Sequence, residues 1–167
     1  MSKKLTPDYY YDSIFQIPYD ELWGNKIRGI IFDIDNTLTR FDEKQPSAKV
    51  AALLKKLENM GFRLCLVTNN TNKRLAGFNE FLNLPGIANA IKPLTRGIRF
   101  AMETMGTTPT QTCIIGDQLL SDIWAGNNAK ITTILVKPMS EKDFWFVRAK
   151  RVVERALLRK YFKNLEK

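Results

Sequence analysis

Apolar residues in this chain recur in two patterns. Short continuous runs, from Ile27 into Ile30-Ile31-Phe32, then Phe62 to Val67, Ile87 to Ile91, Thr112 to Ile115 and Ile131 to Val136, predict five buried strands. Between them apolar residues return every three or four positions. Val50, Leu53, Leu54 and Leu57 do so behind a Ser47 N-cap, Leu75, Phe78, Phe81 and Leu82 before Pro85-Gly86, and Ile98, Met102 and Met105 before Gly106. These stretches, with Ile123 to Asn128, predict helices. Strand and helix alternate, the order of an α/β domain with a parallel sheet and helices on both faces. No repeat, low-complexity tract or domain boundary interrupts it, so residues 1–167 read as a single domain.

Two flanks depart from the alternation. Residues 1–26 carry Tyr9-Tyr10-Tyr11, Ile14-Phe15 and Leu22-Trp23 between Pro7 and Pro18, an aromatic arm expected to pack its rings on the domain. Residues 140–167 read as a basic amphipathic helix. Phe144, Trp145 and Phe146 stand at its start, Ala149, Val152, Val153, Ala156 and Leu157 share one side, and Arg148, Arg151, Arg155 and Arg159 flank it. From Lys137 to Lys167 ten Lys/Arg against four Asp/Glu place +6 of the chain's +9 in this segment. Such a helix suits either an anionic lipid surface or packing on the sheet with a solvated basic side.

Composition narrows the chemistry. The 44% hydrophobic and 26% charged content is that of a globular chain, no stretch approaches a membrane span, and the start lacks a signal peptide's apolar core, so a cytoplasmic protein is expected. Cys65 and Cys113 lie in strand-like runs and read as buried thiols. The chain has no histidine, which removes Ser-His-Asp, Cys-His and phosphohistidine mechanisms and the usual zinc sites, and it has no Gly-rich loop ending in Lys-Ser or Lys-Thr. Carboxylate chemistry remains, and the net charge of +9 points to an anionic partner: nucleic acid, membrane surface or phosphorylated substrate.

Asp33-Ile34-Asp35-Asn36-Thr37 follows the first predicted strand. If the strand's alternation continues, Asp33 and Asp35 emerge on one side, where paired carboxylates call for a cation; hard oxygen donors without histidine or thiolate favour Mg²⁺. Taken alone the five residues also suit an Asx-type turn. Thr68 and Asn69, Lys92 and Asp117 stand at or just after other predicted strand ends, the edge where parallel sheets bind ligands.

This order of residues resembles the haloacid dehalogenase (HAD) superfamily, over nearly the whole chain. The resemblance implies a three-layer Rossmann-like fold and phosphoryl transfer through an aspartyl phosphate. Asp33 would be the nucleophile and Asp35 the general acid and base. Thr68 resembles the motif II hydroxyl that holds a phosphate oxygen with help from Asn69, and Lys92 the motif III lysine. Gly116-Asp117-Gln118-Leu119-Leu120-Ser121-Asp122 resembles motif IV, which implies Mg²⁺ held by Asp33, Asp35, Asp117 and Asp122, with Asp122 acting through water or from behind. Thr37 would orient the loop. An aspartate two residues after the nucleophile is the mark of phosphatases and mutases in this superfamily, so hydrolysis of a phosphate monoester is expected.

HAD enzymes usually close the site with a cap domain. Here about eight residues separate Leu38 from Ser47, and Asn70 to Ile91 holds little more than a helix and a turn, so no cap is expected and the site is open. The motifs, the arm and the basic tail together resemble subfamily IIIA phosphatases related to phosphatidylglycerophosphate phosphatase. That likeness implies an anionic phospholipid substrate met at the cytoplasmic membrane face, with peripheral contact through the tail. Thr68 stands where serine is frequent, and Ile91 precedes the lysine where a basic residue is common. A soluble phosphatase of nucleotides, sugar phosphates or phosphoprotein is the nearer alternative. An RNA-binding or ribosome-associated module with a vestigial site is the distant one, opposed by the intact Asp35 and motif IV.

Overall fold

Every strand of the computed structural model, which describes residues 3–140 and 152–159, belongs to one parallel sheet. In chain order the elements are β1 (Tyr9–Tyr11), α1 (Tyr19–Gly24), β2 (Gly29–Phe32), α2 (Ala48–Asn59), β3 (Arg63–Val67), α3 (Asn72–Asn79), β4 (Gly86–Ile87), α4 (Arg96–Met105), β5 (Thr112–Gly116), α5 (Trp124–Ala129) and β6 (Thr132–Val136). The sheet order is β1-β6-β5-β2-β3-β4. Six strands stand where five are expected from the sequence. The added one is β1, in the aromatic arm, which pairs with β6 at Tyr9↔Ile134 through Tyr11↔Val136. Asp8 fixes this edge, its carboxylate accepting from the Thr133 N–H at 2.8 Å and hydroxyl at 3.0 Å. The rest of the arm packs in part, with Ile14, Ile17, Tyr19 and Leu22 buried and Trp23 half-buried, while Phe15 stays exposed.

Alternation along the strands separates two cores. Ile30, Phe32, Leu64, Leu66, Cys113 and Ile115 face Val50, Leu54 and Leu57 of α2 and Leu75 and Phe78 of α3. Ile31, Cys65, Val67 and Ile114 face Ile98, Met102 and Met105 of α4 and Ala125 and Ala129 of α5. Helices on both faces give the three-layer architecture, and each fully buried Phe or Ile contributes about 1.5–3 kcal/mol. Cys65 and Cys113 are free and lie in opposite cores, where burial pushes both thiols up to about 12.

Local signals set the helix ends. Ser47 and Thr71 cap α2 and α3 by accepting from the Val50 and Arg74 N–H groups, and α4 stops where Gly106 takes a left-handed conformation at φ 60°. α3 is shorter than its apolar spacing predicts, ending at Asn79, so Phe81 is 71% exposed instead of buried. No cap domain lies between β2 and α2 or between β3 and β4.

Of the expected C-terminal helix, residues 152–159 are helical; Phe144, Trp145, Phe146, Arg148, Ala149 and Arg151 lie outside the described residues. The packed side also differs from the expected one. Val152, Val153 and Ala156 are exposed, while Glu154 is buried and Leu157 and Leu158 pack on Leu119, Ile123 and Leu135. Glu154 turns inward because its carboxylate accepts from the Leu120 N–H at 2.9 Å. No helix among the described residues is long and apolar enough to cross a membrane.

Candidate active site

After the edge strand β1 the chain lays down β2, builds outward through β3 and β4, then returns to place β5 on the other side of β2. Connections leave β2 and β5 in opposite directions, which opens a crevice beyond their carboxyl ends. Asp33 follows β2, its N–H still donating to Ile115 O of β5 at 3.0 Å, and Asp117 follows β5.

A third carboxylate joins them from a single wide turn, Leu119–Ile123, which carries Asp122 back over β5 so that its Oδ2 accepts from the Gln118 N–H at 3.1 Å. This approach needs glycine at position 116, since a Cβ there would collide with the Asp122 carboxyl. Asp33, Asp117 and Asp122 are all buried, with carboxylate oxygens within 4.8 Å of one another.

Lys92 neutralises part of this charge. Its Nζ donates to Asp33 Oδ1 at 2.7 Å and to Val67 O, the last carbonyl of β3, at 2.8 Å, and lies 2.7 Å from Asp122 Oδ1. One ammonium thus ties together the ends of β2, β3 and β5. Asn69 fixes that lysine, its Oδ1 accepting from the Lys92 N–H at 2.6 Å and its Nδ2 donating to Lys92 O at 3.1 Å and Ser121 Oγ at 3.4 Å. The Thr37 hydroxyl lies 3.4 Å from Asp33 Oδ2 and 3.3 Å from Asp117 Oδ1, a bridge across the two strand ends.

Three buried carboxylates crowd around one ammonium in a dry place. Burial holds the Asp33 carboxyl well above the usual carboxylate range; Lys92 pulls it back, and Asp122 and Asp117 push it up again. Burial would by itself favour neutral Lys92, but Asp122 and Asp33 outweigh it and keep the amine charged. Three carboxylates with oxygens this close and no histidine or thiolate among the donors fit a hard divalent cation.

Asp35 is not part of this cluster. β2 ends at Phe32, and the chain then winds around Ile34, whose carbonyl accepts from the N–H groups of Thr37, Leu38 and Thr39. The strand alternation that would align Asp35 with Asp33 stops there. Asp35 instead accepts from Arg74 Nε at 2.8 Å and Asn70 Nδ2 at 3.2 Å, with Arg74 Nη2 also 2.8 Å from Oδ1. Arg74 also donates to the carbonyls of Lys44 at 3.0 Å and Arg40 at 3.4 Å, so one guanidinium joins α3, Asp35 and the loop after it. Thr68 is buried beside this group and its Oγ1 accepts from the Asn70 N–H at 3.0 Å.

Sequence reading missed Arg74, Asn70 and Ser121. Arg74 had one available signal, its place in the first turn of a helix capped by the residue after Thr68-Asn69-Asn70. Asn69, expected beside the phosphate through its backbone or side chain, has its side-chain amide committed to the Lys92 backbone.

Known proteins resemble this chain in sequence and fold. Residues 30–112 match the family described as haloacid dehalogenase-like hydrolase, and residues 90–142 a second one described as HAD-hydrolase-like. The chain is 33% identical over 158 residues to Probable phosphatase YqeG of Bacillus subtilis (strain 168), covering 95% of this chain and 92% of that protein. It is 30% identical over 138 residues to Phosphatidylglycerophosphate phosphatase 1, chloroplastic, of Chlamydomonas reinhardtii, covering 76% of this chain and 51% of that protein. The cobalt-bound form of deoxy-D-mannose-octulosonate 8-phosphate phosphatase from Haemophilus influenzae shares the fold, with a TM-score of 0.56 over 67% of this chain and 69% of that one at 16% identity. With a buried lysine-carboxylate cluster at the switch point of a parallel sheet and a near full-length relative of this kind, the chain belongs to the haloacid dehalogenase-like hydrolases and is a phosphatase of that family.

Proposed function

We propose that the protein is a Mg²⁺-dependent hydrolase of phosphate monoesters and that its preferred substrate is phosphatidylglycerophosphate. The observation that carries the reaction is the Asp33–Lys92–Asp122 contact set, which fixes one carboxylate at the mouth of a strand beside two more that crowd it. Asp33, Asp117 and Asp122 would hold the ion, with Asp122 also anchoring Lys92. When bound, Mg²⁺ supplies the positive charge that lets an anionic phosphate approach an anionic nucleophile.

The side chains of the protein do the rest. Asp33 attacks phosphorus and the bond to the ester oxygen breaks, leaving an aspartyl phosphate; Asp35 gives the departing alkoxide its proton. Asp35 then takes a proton from water, which attacks the same phosphorus, and the bond to Asp33 breaks to release inorganic phosphate and regenerate the carboxylate. Lys92 offsets charge on the transferring group. Thr68 orients a phosphate oxygen with its hydroxyl hydrogen, whose oxygen already accepts from Asn70. In the geometry described Asp35 is engaged by Arg74 and Asn70, so each proton transfer requires its carboxyl to turn from the guanidinium toward the phosphate.

Three features support the lipid as substrate: the open site, the charge of +9, and the 30% identity to an enzyme named for that phosphate. Phosphate release from phosphatidylglycerophosphate in mixed micelles, p-nitrophenyl phosphate and nucleotides, each with Mg²⁺ and with Asp33→Asn as control, tests it. The lipid should be turned over with the highest kcat/KM. Turnover confined to soluble esters removes the lipid reading and leaves the phosphatase.

A further inference from the structure

The turn that carries Lys92 into the site carries two apolar side chains out of it. Leu94 N–H donates to Ile91 O at 2.9 Å, and across this four-residue turn Lys92 is buried on Asp33 while Ile91 is 66% and Leu94 60% exposed. The turn is held on both sides: Asn89 and Ala90 N–H groups donate to Asn70 and Thr68 carbonyls, and the Lys92 N–H to Asn69. Ile91 takes a left-handed conformation at φ 54°, costly for a β-branched residue, so its outward presentation is imposed by these contacts.

Phe100, 58% exposed on the neighbouring α4, completes the apolar set, and together they border a cleft of about 770 Å³. Arg96 and Arg99 stand on the same rim with one acidic residue, Glu103; all three are exposed, and neither arginine forms an ion pair among the described residues. Large apolar side chains interleaved with guanidiniums, next to a site for an anionic ester, match the chemistry of an interface with anionic lipid, where rings and branched chains enter the acyl boundary and arginines meet phosphates. The 152–159 helix has its leucines already packed on Leu119, Ile123 and Leu135.

We infer that Ile91, Leu94, Phe100, Arg96 and Arg99 form the face by which the enzyme sits on an anionic phospholipid surface, with Lys92 and the site at its edge. The inference rests on the lipid reading of the site and extends it with a surface on the sheet domain itself. Because anchor and site lie in one short turn, docking brings the mouth of the site to headgroup depth.

The test uses the full chain, Leu94→Ser/Phe100→Ser and Arg96→Glu/Arg99→Glu, all at exposed positions, with thermal melts to confirm folding. Flotation with vesicles of phosphatidylcholine alone or mixed with phosphatidylglycerol should show each pair weakening binding to the anionic vesicles about tenfold, the arginine pair also lessening its salt dependence. Vesicle-borne phosphatidylglycerophosphate turnover should fall in parallel, with p-nitrophenyl phosphate hydrolysis unchanged. Binding retained by both pairs overturns the inference even where the lipid is hydrolysed, which leaves the substrate reading standing. Binding lost in the variants while the wild type hydrolyses no lipid phosphate upholds the surface and removes the substrate reading. A self-association of the wild type, seen by sedimentation and abolished in the variants without any vesicle effect, overturns it in favour of a second copy.

Discussion

The charged groups at the carboxyl edge of the sheet form two sets, and they are built differently. Asp33, Asp117, Asp122 and Lys92 are buried, and their contacts run to strand ends and to one another. Asp35 and Arg74 are half-buried, and their further contacts run to the Arg40–Lys44 loop. A carboxylate that attacks along a fixed line gains from dryness and rigidity. One that serves first a leaving group and then water needs reach and access to solvent. The difference between the sets matches the division of labour proposed for Asp33 and Asp35.

The largest blow to this comparison comes from the two aspartates themselves. Asp33→Asn should lower kcat by about 10⁴-fold or more, and Asp35→Asn by about 10²–10⁴-fold. Pre-steady-state kinetics separate them: Asp35→Asn slows breakdown of the phosphoenzyme, whereas Asp33→Asn never forms it. Equal behaviour would erase the distinction.

Lys92→Ala leaves three buried carboxylates without their cation. Metal-free protein should lose about 3–5 kcal/mol in urea denaturation, part of it returned by Mg²⁺, and kcat should fall by about 10²–10³-fold. Arg74→Ala acts on the looser set and should cost only about tenfold in kcat, with little change in metal affinity. It should also speed tryptic cleavage after Arg40, whose carbonyl Arg74 holds.

The smallest effect is on stability against pH. Asp33 has a raised proton affinity in the folded, metal-free state, so the native form binds more protons than the unfolded one. The stability this group contributes is full below the ordinary carboxylate value near about 4 and is lost as pH rises through the raised one. Melting temperature measured in EDTA should therefore fall across that window, and added Mg²⁺ should flatten the fall. An identical pH slope with and without the ion would separate the cluster from metal binding.

Much of this was legible in the residues. The alternation of helix and strand follows from short apolar runs and period-3.6 helices; Asp33, Lys92 and Asp117 could be placed at one edge because each follows a predicted strand, and Asp122 joined them through the resemblance of Gly116–Asp122 to motif IV. What escaped depends on contacts far along the chain. β1 spans three tyrosines with no polar alternation, and only its pairing with β6 makes it a strand. The Asp35–Arg74 pair was hidden because strand periodicity says nothing beyond Phe32, where the backbone turns. The tail's packed side was misread because periodicity ranks valine above glutamate, whereas the free N–H of Leu120 selects Glu154.

That last contact reaches further than the tail. Leu120 lies in the wide turn that delivers Asp122, so a carboxylate thirty-four positions downstream helps hold the floor beneath the carboxylate cluster. Cleaving or shortening the C-terminus, whether by a protease or in an expression design, should therefore register first as weaker Mg²⁺ retention, and only afterwards as any change in where the enzyme resides.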